Sequence, residues 1–331
     1  MTIRLGLLAA SRIAQQAVIN PARDVDGIDV VAVAAREQAR ALEWAERWSL
    51  PLAYGSYREL IDSDDVNAIY IATPASMHRE WAIAAITAGK HVLCEKPFAA
   101  NADDARLIAD AANASDVVVM EGFHWRYHPM TAQIRQVIDS GVLGRIDRIE
   151  ARFDIQEGII PRSDIRWDLP LGGGALMDLG CYPVQWVRFV AGADPDVVSA
   201  TADCPVDEID GRLEAELRWP SGVTGSIHTS MIAPDGGVVT NLIVRGELGT
   251  MTAINPLAPQ NGAGIVVETA DQRSELEVAT SASYYHQLVA FRDAIADGTP
   301  FPTTADDGVR NMEIIDACYR AAGLQPRPSI A

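Results

Sequence analysis

Between Ile3 and Glu121, short runs that are almost wholly apolar alternate with longer amphipathic stretches, and this alternation constrains the fold more than any other feature of the chain. The apolar runs cover residues 3–8, 30–35, 68–72, 91–95 and 117–121, while 36–48, 78–88 and 102–114 read as helices. A strand that is apolar on both sides must be buried on both faces, and helices between strands supply the cover. The first half is therefore expected to be a doubly wound parallel sheet of the α/β class, with right-handed crossovers as chain chirality dictates. In such a sheet, ligands sit just beyond the carboxyl ends of the strands.

From about Gly144 the texture changes. Residues 148–155, 197–204, 213–219, 223–231, 238–245 and 265–269 read as strands, several with period-two alternation. Leu213, Ala215, Leu217 and Trp219 face one way, and Arg212, Glu214, Glu216 and Arg218 the other. That pattern fits a large open sheet with one face solvated or used for assembly. Helices are expected over 175–191, 285–297 and 305–322. With 331 residues, two domains are expected: a dinucleotide-binding domain over 1–122, and a substrate-binding and oligomerisation domain over 123–331.

A formal net charge of -18 argues against nucleic acid and anionic membrane surfaces as partners. The four cysteines, Cys94, Cys181, Cys204 and Cys318, are far apart, so neither a disulfide framework nor a zinc site is indicated, and a cytoplasmic setting is expected. The six histidines are scattered and no metal is expected. The start of the chain lacks the pattern of an export signal, and no apolar run is long enough to span a membrane.

The turn after the first strand should carry a glycine-rich pyrophosphate loop. Here Ala9, Ser11 and Ala14 stand at the three glycine positions, with Arg12 and Ile13 between them. All three glycines are missing, though a small residue replaces each. At the tip of the second strand, Arg36 occupies the place where a carboxylate would bind the ribose of NAD. Its planar fork suits adenine and the 2′-phosphate of NADP, and Arg12 offers a second positive charge. NADP is the expected cofactor, with NAD use left open. Thr73-Pro74, past the third apolar run, is placed over the nicotinamide, with His78 at the start of the next helix.

Glu95-Lys96-Pro97 sets a charged amine directly after a buried strand, where it is well placed to touch a ligand. Far downstream, Gly172-Gly173-Gly174 runs through Asp178 to Tyr182, four residues apart on one face if the segment is helical. Hydride transfer at an alcohol carbon needs a group that exchanges the hydroxyl proton. A tyrosine beside an ammonium becomes a better base, because the positive charge favours the phenolate. Lys96 and Tyr182 are therefore the candidate proton-transfer pair, with Asp178 accepting substrate hydroxyls or orienting Lys96. Residues 121–129, dense in aromatic and donor groups, add Arg126 and His128 as candidate substrate ligands.

These features together resemble the glucose–fructose oxidoreductase, inositol dehydrogenase and rhizopine catabolism family, written Gfo/Idh/MocA. The resemblance rests on Glu95-Lys96-Pro97, on Ala72-Thr73-Pro74 followed by His78, and on Glu121-Gly122-Phe123 followed by Arg126 and His128-Pro129. It extends through Gly172–Tyr182 to Phe291, Ala294-Ile295 and Gly298. It implies a Rossmann domain, then an α/β domain whose open, mostly antiparallel sheet often joins subunits, here as a homodimer or homotetramer. It also implies that Lys96 is the catalytic lysine and that Glu95 belongs to the cofactor site. Tyr182, where inositol dehydrogenases carry histidine, points to the branch of dihydrodiol and NADP-dependent xylose dehydrogenases. The expected function is NAD(P)-dependent oxidoreduction of a sugar, polyol or cyclic diol. The alternative is an NADP-binding sensor without turnover, suggested by the missing glycines.

Overall fold

The computed structural model describes residues 2–329. Six strands build the first sheet: β1 (Ile3–Leu8), β2 (Ile28–Ala34), β3 (Leu52–Tyr54), β4 (Ala68–Ile71), β5 (His91–Cys94) and β6 (Val119–Glu121). All pair in parallel, in the order β3-β2-β1-β4-β5-β6. The order reverses beside β1, which makes the tips of β1 and β4 the switch point where ligands bind in such sheets. The last residues of the strands stand in one row: Tyr54, Ala34, Leu8, Ile71, Cys94 and Glu121. Each loop that follows therefore opens from the same edge.

Helices Gln38–Trp48, His78–Thr87 and Ala102–Asn113 cover this sheet. The chain returns to it late. Helix Ser283–Asp297 places Tyr284, Leu288, Phe291 and Ala294 in the same core as Leu5, Leu7, Val33 and Leu93. By its internal contacts the first compact unit is Met1–Tyr127 with Ala282–Val309, and the second is His128–Ser281 with Arg310–Ser329. The difference from a contiguous division at 122/123 lies mainly in that returning helix, whose buried apolar stripe needs the first sheet.

The second unit contains an eight-stranded sheet of β7 (Ile146–Gln156), β8 (Asp196–Asp203), β9 (Arg212–Arg218), β10 (Thr224–Ala233), β11 (Val238–Gly246), β12 (Gly249–Ile254), β13 (Gly264–Thr269) and β14 (Arg273–Leu276). Its order is β14-β13-β12-β11-β7-β10-β9-β8, antiparallel except where β7 meets β10. Helix Cys181–Ala191 packs on β7, β10 and β11, the side where Ile149, Ala151, Phe153, Leu213, Ala215 and Leu217 are buried. The opposite face carries a ladder of charges. Arg148 bonds Glu150 and Glu216, Arg245 bonds Glu150, and His228 lies between Asp154 and Glu214. Farther along that face, Ile243, Thr252 and Val266 are half-buried.

Two helical segments wind as π-turns, at Gln15–Ile19 and Leu176–Gly180. Each is followed within three residues by a proline, Pro21 and Pro183. A proline offers no N–H to the ladder and crowds the carbonyl of the turn before it, so the preceding turn opens.

Candidate functional site

The first unit sets its candidates on the row of strand tips. Just beyond β1, Ala9 has a φ of +96°, a conformation that favours glycine, and its N–H donates to the Ala34 carbonyl at 3.2 Å. The backbone thus takes the shape of the glycine fingerprint without the glycine. Ala9→Gly is expected to raise stability by about 1 kcal/mol, because relief of the Cβ clash outweighs the extra freedom of the unfolded chain. Calorimetric melting would read this as a higher Tm, and a lower Tm would show that Ala9 carries no strain. Ser11 stands at the N-cap position of a helical run that begins at Arg12, and Arg12 is exposed while Ile13 is half-buried. Arg36 is exposed at the tip of β2, ahead of Glu37 at the N-cap position of the next helix.

Past β4, Thr73 is buried and its Oγ1 has no hydrogen-bond partner. A hydroxyl with unused bonding capacity beside the switch point suits a polar ligand group. Past β5, residues 92–95 and 97–100 are buried and Lys96 alone among them is half-exposed. Glu95 accepts a 2.7 Å hydrogen bond from the Tyr70 hydroxyl, so it is anchored to β4 beneath the edge. Gly122, after β6, lets the chain pass close to this segment: a Cβ there would lie 3.1 Å from the Cys94 carbonyl. Burial, then Glu121 and Glu95, push the Cys94 thiol well above its ordinary pKa, so it is no nucleophile.

His78, expected at the cofactor site, is buried between two loops. It is 1% exposed, with Nδ1 3.0 Å from the Pro97 carbonyl and Nε2 2.9 Å from the Thr73 carbonyl. Burial, ahead of every other influence, lowers its pKa, and Lys96 adds to that shift. The ring lies between the loop after β4 and the loop bearing Lys96, and in its neutral form it donates its one N–H to one of these two carbonyls.

In the second unit, Asp178 lies on the π-turn and Tyr182 in the first turn of the α-helix that continues it. The expected helix exists, but its wider winding changes their angular relation. Gly180 allows the close approach to β10, since a Cβ there would meet Thr229 at 3.1 Å. Asp178 is held by a residue that the sequence argument missed: Arg166 Nε donates to its Oδ2 at 2.5 Å, while Arg166 Nη1 donates to Asp164 at 3.0 Å. Asp178, the largest influence, pushes the guanidinium's pKa up. Asp178 is thus positioned by a loop arginine of its own unit. Tyr182 is 3% exposed, with ring centroids of Phe153 and Trp186 at 5.9 and 6.1 Å. The loop preceding Asp178 walls a cleft of about 180 Å³ lined by Glu157, Ile160, Pro161, Arg162, Trp167 and Met231. Arg162 lies 3.9 Å over the Trp167 ring and pairs with Glu157 at 3.2 Å.

His128, expected as a substrate ligand, stands at the N-cap of helix Pro129–Asp139. Its Nδ1 accepts from the Met130 N–H at 3.1 Å, and its Nε2 donates to the Ser281 carbonyl at 3.2 Å, which occupies both nitrogens. His124, four residues earlier, meets the Ser283 hydroxyl at 2.7 Å and stacks on Tyr284. Arg126 is half-buried, 5.9 Å over the Trp125 ring. Among the described residues, no group of three or more His, Cys, Asp or Glu side chains could hold a metal ion, and no helix is long and apolar enough to cross a membrane.

A family model described as "Oxidoreductase family, NAD-binding Rossmann fold" (GFO_IDH_MocA) matches residues 3–123, and the GFO/IDH/MocA C-terminal domain matches residues 131–252. The chain is 32% identical over 319 residues to D-xylose 1-dehydrogenase (NADP(+)) 2 of Haloferax volcanii, covering 96% of each chain. It is 36% identical over 235 residues to trans-1,2-dihydrobenzene-1,2-diol dehydrogenase of Mus musculus, covering 70% of this chain and 69% of that one. A solved structure of a 3-ketoreductase from Actinomadura kijaniata, in complex with NADP and TDP-benzene, matches with a TM-score of 0.88 at 27% identity, covering 97% of this chain and 98% of that one.

Proposed function

This chain belongs to the Gfo/Idh/MocA oxidoreductase family, and on that premise we propose that it interconverts the hydroxyl and carbonyl forms of a sugar, polyol or cyclic diol, with NADP as cofactor and Lys96 and Tyr182 as the proton-transfer pair. One observation carries the reading: Lys96 is the half-exposed cation in a buried loop just past β5, on the same edge as the switch point. The residues present suit a dinucleotide. Ala9 already adopts the left-handed backbone of the phosphate turn, Thr73 has a free hydroxyl, and Arg36 and Arg12 offer charge at the surface. A bound nicotinamide dinucleotide supplies or accepts the hydride; the protein moves the proton.

In this reading the Lys96 ammonium polarises the substrate oxygen and favours the phenolate of Tyr182, which takes the hydroxyl proton in oxidation and returns it in reduction. Asp178, held by Arg166, accepts a hydrogen bond from a neighbouring hydroxyl. The cleft beside it joins apolar walls, Trp167, Ile160 and Met231, to the paired charges of Arg162 and Glu157. That mixture matches a neutral polyol, which shows C–H faces and hydroxyl edges. The xylose and dihydrodiol dehydrogenases among its relatives support the same class. We place a homodimer or homotetramer interface on the open face of the β7–β14 sheet; a monomeric mass by light scattering would remove that part.

The test is a panel of aldoses, polyols and trans-diols assayed with NADP and with NAD, and no turnover on any of them would favour a cofactor-binding sensor instead. NADP is expected to exceed NAD in kcat/KM, and Arg36→Ala to narrow the gap by weakening NADP alone. Losing one charge-assisted hydrogen bond costs roughly 1.5–3 kcal/mol, or about tenfold or more. Equal use of both cofactors by the unaltered protein would make Arg36 a helix-flanking surface residue.

A further inference from the structure

We infer that Arg327, in the tail after the last helix, and Asp210, in the loop before β9, form a positioning pair that sets the segment bearing Asp178 and Tyr182. The inference rests on the reading of those two residues given above. Arg327 lies between Pro326 and Pro328, which restrict the tail to extended conformations. It is 1% exposed, and its partner Asp210 is 0% exposed.

All three nitrogens of the Arg327 fork donate. Nη2 donates to Asp210 Oδ1 at 2.5 Å, Nε to the Gly173 carbonyl at 2.6 Å and Nη1 to the Glu208 carbonyl at 3.1 Å. The Asp210 carboxylate also accepts from the Tyr319 hydroxyl at 3.0 Å and from the Leu176 N–H at 2.7 Å, while its backbone carbonyl accepts from the Ala175 N–H at 2.8 Å. Ala175 and Leu176 open the helical segment, so Asp210 caps it from a distant part of the chain.

This cap explains the glycine triplet. Gly174 has a φ of +131°, and a Cβ there would stand 2.2 Å from Asp210 Oδ1; one on Gly173 would meet the Arg166 carbonyl at 2.7 Å. The Gly174 N–H donates to that same Arg166 carbonyl at 3.0 Å, and the Arg166 side chain holds Asp178. An unbroken series of hydrogen bonds therefore joins Arg327 to Asp178: Arg327 to Asp210 and Gly173, the glycine turn to Arg166, and Arg166 to the Asp178 carboxylate. A buried ion pair is a poor source of stability compared with apolar packing, but it fixes direction. Here the direction it fixes is that of the Asp178 turn.

Three variants test this in the full-length protein: Arg327→Lys, which keeps the charge but not the three-way fork; Arg327→Met, which removes both; and Tyr319→Phe, which withdraws one hydroxyl and leaves the ion pair. Measured are kcat, KM, the pH profile of kcat, the Kd for NADP and thermal unfolding. Arg327→Lys is expected to lower kcat about 10- to 100-fold, as misplacement by an ångström does, with a displaced pH profile and an unchanged Kd for NADP. Tyr319→Phe should move kcat and the pH profile the same way by less. A lower Tm with kcat per folded molecule and pH profile both unchanged in Arg327→Lys and Tyr319→Phe would reduce the pair to a structural staple and overturn the inference, even if Arg327→Met does not fold. Tyr182→Phe separates the two failures. If it turns over normally, the underlying reading is wrong; if it is impaired while Arg327→Lys is not, only the positioning role is lost.

Discussion

Lys96→Ala is expected to lower kcat by roughly 10²–10⁴, the usual contribution of a positioned proton-transfer group, while NADP still binds and the fold persists. The side chain is half-exposed and its neighbours on both sides are buried, so removal leaves the packed strand tip in place. Glu95 keeps its bond to Tyr70, and the buried His78 ring stays between the Thr73 and Pro97 carbonyls, which the substitution does not touch. Lys96→Arg is the informative companion. It restores the charge, but a guanidinium does not give up a proton near neutral pH and fills a different shape. Fluorescence titration with NADP and steady-state rates on the best substrate of the panel check both variants. Retention of more than about a tenth of kcat by Lys96→Ala would place the proton transfer elsewhere.

Much of the first sheet is legible in the sequence because a doubly buried strand has nothing to write but apolar residues. β1 keeps its expected bounds, and β2, β4, β5 and β6 differ from expectation only at their ends. β3 is invisible for the opposite reason: Leu52, Ala53 and Tyr54 are half-buried at the sheet edge, too short a run to show a period. β14, with Arg273 and Glu275 pointing outward, is another such edge. Strand tips are where such a sheet offers a ligand site, so Lys96, Thr73 and Arg36 could be picked out as candidates. Bonds that close over long separations could not. Arg166 looks like any loop arginine, and Arg327 between prolines reads as a loose end, until the fold brings Asp178 to one and Asp210 to the other. The surroundings of His78 and His128 were equally hidden: the His78 ring lies between two backbone carbonyls, and His128 takes the Met130 N–H and faces the Ser281 carbonyl.

Tyr182→Phe should cost kcat on the order of 10²–10⁴ as well, and at far smaller cost to stability than to rate. The ring is buried against Phe153 and Trp186, and phenylalanine keeps that packing. Only the hydroxyl is lost, for which about 0.5–1.5 kcal/mol of stability is the usual measure of one hydrogen bond. The sign of the pH effect follows from the base role. On the proposed pairing, alcohol oxidation needs the phenolate, so kcat should rise with pH through a group below the free tyrosine value of about 10, the direction a neighbouring ammonium gives. In Tyr182→Phe that rising limb should vanish along with most of the rate. In Lys96→Ala it should move upward if the proposed pair operates, since the phenol then loses the ammonium that favours its charged form. The two variants together thus separate a proton pair from two independent groups. Near-normal turnover and an unchanged profile in Tyr182→Phe would make the residue helix packing and leave Lys96, alone or through Asp178, to carry the proton.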